Sequence, residues 1–470
     1  MKKLKSFAVL TLLLALSVCA RAAQGGLDPR TASFPMPEFT APRPLERTLS
    51  GGAPLYLKED HDIPLVRVYL YFAGGSVNDP EGREGLSDVT GTVWRLGGTA
   101  ARGSEEFDRL LDSKGITLDL SMGREAGSVR LTALSRDLEQ GLDLAAELLF
   151  SPALSADRFD WAVKEKKDDI AREEDDPDVL AFRELRKVLY AGHPRSRVAT
   201  VKSVDGLKRE DALELRRALV GESSWVLGAV GDFSPDELSA KLEKRFGKLP
   251  AKASARFMRP PVPRLPQPGL VVVPKKLPQT TLLWATLAPG LLSPARAPLE
   301  LADFILGGGG FQSRLAKRIR IEKGLAYSVS SFYSPMEDFG VLGVQATTAT
   351  KNTEEVFRLL SEEVSRAGAS PFLEGELEDA RRTEQNRYIF RFRDPADLVT
   401  ERMSLKLRGL PPDLVERYYR ELGAVGVESL GRAGADVYKP ETGVWVLVGE
   451  VAGEGEAIKG PWKRTIIKSE

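Results

Sequence analysis

Asp176-Pro177-Asp178-Val179-Leu180 returns as Asp394-Pro395-Ala396-Asp397-Leu398, 218 residues further along the chain. Two more matches keep the same order and nearly the same spacing. Ser224-Trp225-Val226-Leu227 returns as Val444-Trp445-Val446-Leu447 after 220 residues, and the strand-like run ending in Gly74 has a counterpart ending in Gly290 after 216. One such match carries little weight; three in order point to duplication of a domain of about 200 residues. Between the copies, Pro250 to Gly269 holds Pro260-Pro261, Pro263, Pro266 and Pro268. Prolines remove backbone donors and stiffen the chain, so this stretch reads as a semi-extended linker. The expected layout is a leader over residues 1–22, a first domain over 40–249, the linker over 250–268 and a second domain over 269–455.

Each half mixes strand and helix patterns. Val66 to Phe72 alternates branched and aromatic residues, as a half-buried strand does. Ile116 to Met122 and Ser128 to Leu134 flank the turn Gly123-Arg124-Glu125-Ala126-Gly127 and predict a hairpin, while Leu138, Leu142, Ala145 and Leu149 recur at helical spacing. In the second half, Thr281 to Ala288 and Gly340 to Thr347 read as strands. Val356, Leu360 and Val364 line a helix that starts near Asn352, and Glu374 to Arg391 is charged and helix-prone. Strands in runs, followed by helices in runs, predict α+β domains rather than a doubly wound parallel sheet.

The leader has the pattern of a secretory signal: Lys2, Lys3 and Lys5, an apolar core from Phe7 to Val18, and the small residues of Ala20-Arg21-Ala22. That core is too short to span a bilayer of about 30 Å, and no later segment is apolar enough to do so. The expected location is the periplasm, with cleavage near Ala22; lipid attachment at Cys19 is the less favoured alternative, because Val18 is larger than the residue such attachment wants. Cys19 is the only cysteine, so the mature chain has no disulfide, thiolate nucleophile or cysteine-held metal. Of 67 basic residues four lie in the leader, which leaves the mature chain four charges to the acidic side of neutral. A balanced surface of this kind argues against a nucleic-acid partner.

Histidine is scarce as well. His61 and His193 are the two present, far apart in sequence, and both read as local hydrogen-bonding residues in turns. No nucleophile–base constellation stands out among the abundant acidic residues.

Two segments carry a resemblance. Gly85-Leu86-Ser87-Asp88-Val89-Thr90-Gly91-Thr92, then Leu96-Gly97-Gly98-Thr99, follows a strand and Gly75-Ser76-Val77-Asn78-Asp79-Pro80. It resembles the start of the pitrilysin/insulinase family of zinc peptidases, in which this helix bears His-x-x-Glu-His. Histidines four apart grip one zinc from a single helical face, and the glutamate activates water. Here Asp88 and Thr92 stand at the histidine positions and Gly91 at that of the glutamate, so all three have changed. By resemblance, a third ligand falls on a later helix, where Lys166-Lys167-Asp168-Asp169-Ile170 places Asp168 or Asp169. A solvated acidic face accounts for that run. Asp88 with Asp169 offers oxygens to a hard cation such as calcium, but no compact loop supplies the six to eight that it takes.

The second segment runs from Gly307-Gly308-Gly309-Gly310-Phe311-Gln312-Ser313-Arg314-Leu315 to Arg318-Ile319-Arg320-Ile321-Glu322-Lys323-Gly324-Leu325-Ala326-Tyr327-Ser328-Val329. Its glycines are not followed by Lys-Ser/Thr at phosphate-loop spacing, so no nucleotide site is read here. A helix from Gln312 or Ser313 to Lys323 ends at Gly324, which accepts a positive φ, and a strand runs on from Leu325 through Phe332. On the residues alone, Arg320 complements the helix dipole and Tyr327 belongs to the core. The segment resembles the second domain of the same family, in which an arginine and a tyrosine seven residues later bind substrate backbone, and Arg320 and Tyr327 keep that spacing.

The resemblance implies two α+β domains closing like a clamshell on a peptide chamber. It also implies a chain with no catalytic residue and no metal ligand of its own, in which Arg320 and Tyr327 bind unfolded peptide. Zinc is then expected in a partner, a His-x-x-Glu-His subunit of the same family. The alternative is an inactive peptide-binding or scaffold protein of the cell envelope.

Overall fold

The computed structural model of the chain describes residues 38–369, 372–451 and 458–467. The leader over 1–22, Cys19 and the expected second-domain end at 455 lie outside the described residues. The first sheet contains β1 (Leu45–Thr48), β2 (Pro54–Glu59), β3 (Leu65–Ala73), β4 (Thr117–Met122), β5 (Ala126–Leu134) and β6 (Trp225–Gly231), in the order β1-β2-β6-β3-β5-β4. The second contains β7 (Gly269–Pro274), β8 (Gln279–Pro289), β9 (Ala326–Pro335), β10 (Phe339–Ala349), β11 (Val444–Gly449) and β12 (Lys463–Ile466), in the order β12-β7-β11-β8-β10-β9.

Five strands occupy the same places in both sheets, with a parallel pair (β2 with β6, β7 with β11) beside an antiparallel remainder. The duplication read from the sequence is therefore a duplication of topology, in two α+β halves. The copies differ at one margin: β1 runs antiparallel to β2, whereas β12 runs parallel to β7. The hairpin read around Gly123 to Gly127 forms as β4 and β5, and the helices read at Leu138 and near Asn352 run over Leu138–Phe150 and Thr353–Ala369. Among the described residues no helix is long and apolar enough to cross a membrane.

Each tryptophan strand, β6 and β11, is buried along its whole length. A strand with one wet face would alternate, so both faces of each sheet centre must be covered. The covering element on one side comes from the other half, within the compact unit that starts at Thr40. Helix Pro177–Leu189 sets Leu180, Ala181, Leu185 and Leu189 against Val271, Leu283 and Val446 of the second sheet. Helix Pro395–Leu407 sets Ala396, Val399 and Met403 against Tyr56, Val226 and Val230 of the first. A Cβ on Gly228 of β6 would lie 2.4 Å from Met403 Sδ and 2.6 Å from Val399 Cγ1, so glycine there lets the helix seat this closely.

The repeated Asp-Pro motif starts both exchanged helices. Asp176 accepts from the backbone of Asp178 and Val179 at 2.9 and 3.2 Å, and Asp394 accepts from Ala396 at 2.8 Å, with proline in the first turn where its missing donor costs nothing. The motif also ties each helix to the opposite half. Thr281 of β8 donates to Asp178 at 2.7 Å, and Arg67 of β3 donates to both oxygens of Asp394 at 2.7 and 2.8 Å. Within the stretch read as a linker, Phe257 is buried in the first core and Pro250 accepts from Trp225, so its early part packs on the first half.

Asp394→Ala removes a helix cap, about 1 kcal/mol, and a half-exposed ion pair contributing at most about 1 kcal/mol. The hydrogen bonds from Arg67 hold the Asp394 carboxyl below the usual carboxylate range. Its contribution is thus present above about pH 4 and lost as the pH falls through the depressed folded value. In thermal melts from about pH 7 down to about pH 3, the variant should lose stability at neutral pH and show a shallower acid limb.

Candidate functional site

The helix Leu86–Leu96 begins on the buried carboxylate of Asp79, which accepts from the backbone of Gly85 and Ser87 at 3.0 Å each and from the Ser87 hydroxyl at 2.5 Å. Burial pushes the Asp79 carboxyl up to about 7 against those bonds. One turn later the helix faces a cavity of about 420 Å³ lined by Asp88, Gly91, Thr92, Ser121, Lys166 and Asp169. The structure thus brings Asp88 and Asp169 to one cavity, on the helix Leu86–Leu96 and on the helix Ala156–Asp175.

The donors present do not fit zinc. The Lys166 ammonium lies 2.5 Å from Asp88 Oδ2, so a protein side chain already pairs with the carboxylate that stands at the first histidine position. Thr92 donates its hydroxyl back to the Asp88 carbonyl at 3.0 Å, and Asp169 pairs with Arg172. A Cβ at Gly91 would fall 2.5 Å from Met122 Cγ of β4, so Met122 fills the space that the family's glutamate needs. The surroundings are cationic too: burial and the neighbouring charge of Arg124 lower the Arg186 guanidinium to about 10. Among the described residues no three metal-ligating side chains converge. Sequence reading had no reason to select Lys166 from a run of alternating charges; the helical phase that aims it at Asp88 is set by packing.

The two histidines are engaged elsewhere. His61 Nδ1 lies 2.8 Å from Asp232, whose hydrogen bond raises the His61 pKa. His193 accepts at Nδ1 from the Arg195 backbone, at 3.1 Å, which leaves the proton on Nε2 for the Pro261 carbonyl 2.7 Å away.

In the second half, the glycine run lets the π-helical segment Phe304–Gly308 pack closely onto β9. A Cβ at Gly307 would fall 2.2 Å from the Ser331 backbone nitrogen, and Gly310 takes a φ of 65°. A 3₁₀ turn, Gly310–Gln312, is held by the buried Ser313 hydroxyl donating to the Gly310 carbonyl at 2.6 Å. The helix read from Gln312 or Ser313 to Lys323 is instead wound as a π-helix over Ala316–Glu322, with Leu315 and Ile319 fully buried. Gly324 follows with a positive φ of 64°, and Tyr327 stands on β9, the outermost strand of the second sheet.

Three arginines on this helical segment behave differently. Arg314 is bidentate to Glu376 at 2.9 and 2.6 Å, and Arg318 reaches Glu362 and the buried Glu363 at 2.5 Å each. Arg320 has no carboxylate among the described residues; its guanidinium carbon lies over the rings of Phe311, at 4.6 Å, and Tyr327, at 5.1 Å. Tyr327 is 81 % exposed and Phe311 63 %, so Tyr327 is not a core residue, as the residues alone suggested. An edge position on β9 explains this. The structure therefore brings Arg320 and Tyr327 together, and adds Phe311, which the sequence reading quoted without giving it a role.

A duplicated α+β fold, a helix Leu86–Leu96 with no zinc-ligand set at its cavity among the described residues and an arginine–tyrosine pair at the edge of the second sheet define a peptidase-like class. Residues 55–199 match the family described as "Insulinase (Peptidase family M16)", and residues 206–384 match "Peptidase M16 inactive domain". The chain belongs to the M16 peptidase family. It is 26 % identical over 338 residues to a "Non-peptidase homolog YmxG" of Helicobacter pylori, covering 70 % of this chain and 76 % of that one. It is 25 % identical over 318 residues to an "Uncharacterized zinc protease" of Rickettsia bellii, covering 67 % and 76 %. Its fold matches the crystal structure of a peptidase M16 inactive domain from Pseudomonas fluorescens, with a TM-score of 0.79 at 23 % identity over 87 % of this chain and 98 % of the other.

Proposed function

We propose that this chain is the non-catalytic, substrate-binding subunit of a heteromeric M16 peptidase acting on unfolded peptides outside the cytoplasm. The observation that carries the reading is Arg320. Among the described residues it is the arginine of its helical segment that no carboxylate neutralises, yet it is placed over two aromatic rings beside an outer strand. A guanidinium in that position presents in-plane N–H groups to peptide carbonyls, Tyr327 adds a phenolic donor, and the open side of β9 accepts a peptide as a further strand. Such contacts read backbone and suit unfolded substrates of varied sequence.

The cutting step then belongs to another chain. Asp88, Gly91 and Thr92, with Lys166 paired to Asp88, give this one nothing to hold zinc or activate water. The partner in this reading is a His-x-x-Glu-His subunit of the same family that brings the metal. Mixed with such a subunit from the same organism, the chain should raise cleavage of an unfolded peptide at least tenfold, and Tyr327→Phe should weaken the effect. Equal cleavage with and without this chain would leave a peptide-binding or scaffold role and remove the subunit reading.

A further inference from the structure

Phe311 is the residue of this site whose position nothing so far explains. Its ring is 63 % exposed and lies within cation–π distance of Arg320, on a turn fastened by Ser313 and preceded by the π-helical segment Phe304–Gly308, whose Gly307 packs against β9. Ile321, 57 % exposed, follows Arg320 in the chain. Exposed aromatics beside an arginine that has no carboxylate partner among the described residues have the composition of binding hot spots rather than of an ordinary wet surface. Because the turn is already fixed, little conformational freedom remains to be lost when a ligand lands on the ring.

We propose that Phe311 is a specificity-determining residue of the peptide site: its exposed ring receives an aromatic or large aliphatic side chain of the peptide whose backbone Arg320 holds. This rests on the peptide-binding reading given above. The chemistry divides between the two residues. Carbonyls satisfy the guanidinium, while the ring of Phe311 has no hydrogen-bonding atom and offers only apolar and quadrupolar contact. An acidic side chain would engage Arg320 itself and gain nothing from Phe311.

Two fluorescein-labelled dodecapeptides of glycine, serine and threonine, differing only by Phe or Ser at one central position, test this with the whole chain by fluorescence anisotropy. The wild-type protein should bind the Phe peptide about three- to tenfold more tightly, in line with one aromatic contact. Phe311→Ala should erase that preference, so that the two peptides bind alike, and Phe311→Tyr should keep it. Arg320→Gln should weaken both peptides alike. A preference that survives Phe311→Ala, or equal weakening of both peptides by it, overturns the proposal while Arg320→Gln still weakens binding. If Arg320→Gln leaves both affinities unchanged, the peptide-binding reading fails first and this one with it.

Discussion

Trp225→Ala is expected to destabilise the chain by about 3–5 kcal/mol, the range for deleting a large buried aromatic. Trp225 is fully buried at the start of β6, its ring 4.6 Å from that of Phe72, and its indole nitrogen donates to the Leu219 carbonyl at 3.0 Å. Alanine leaves a large void and an unsatisfied carbonyl together. The effect should not stay in one half. Helix Pro395–Leu407 of the second half seats on β6, and helix Pro177–Leu189 of the first seats on β11, so loosening either sheet frees an element that the other half needs. Urea titrations followed by tryptophan fluorescence and by far-ultraviolet circular dichroism should shift together to lower denaturant. Separate transitions, with one unchanged, would show that the exchanged helices do not couple the halves. Trp445→Ala should behave alike, since Trp445 is equally buried on β11 with Phe357 at 4.4 Å.

Arg320→Ala is expected to weaken peptide binding by about 30-fold, the factor that corresponds to a hot-spot loss of about 2 kcal/mol. The fold should be intact, because Arg320 makes no ion pair among the described residues and its neighbours are exposed rings. Arg318→Ala is the matched control. It strips an ion pair from Glu363, which is 1 % exposed and keeps, among the described residues, only Arg366 at 2.8 Å, so it should lower the melting temperature with little change in affinity. Arg320→Lys should rescue poorly: an ammonium keeps the charge but loses the planar fork and the wide contact with both rings. If Arg318→Ala and Arg320→Ala lower peptide affinity equally, the effect comes from the helical segment as a whole and Arg320 is not its contact residue.

Much of the fold was legible because its signals are local. The Asp-Pro motif, the tryptophan segment and the glycine-bounded hairpin each stand within a few residues, and the repetition of the first two gave the two halves. The exchange of helices was not legible. Leu180 and Leu185 meet Val446 from a distant part of the chain, and no periodicity records a contact of that kind. Helical spacing likewise cannot distinguish a π-helix from an α-helix, so the winding of Ala316–Glu322 appears only in the structure.

The site was legible in part for the same reason. The change at the two histidine positions and the glutamate position of the family motif stands in the letters at 88, 92 and 91. What filled the space, Lys166 beside Asp88 and Met122 against Gly91, depends on how two helices and β4 pack. Tyr327 read as core because strands of this composition are usually covered; its place on an outer strand exposes it.

The most direct test of the central claim, that this chain grips peptide and leaves the cutting to another, is one paired measurement on the purified protein. Bound zinc is quantified by elemental analysis while cleavage of an unfolded peptide is followed with and without a chelator. The account predicts no stoichiometric zinc and no cleavage by the chain alone, with peptide binding intact. Chelator-sensitive cleavage by the chain alone, with one zinc per chain, would contradict it.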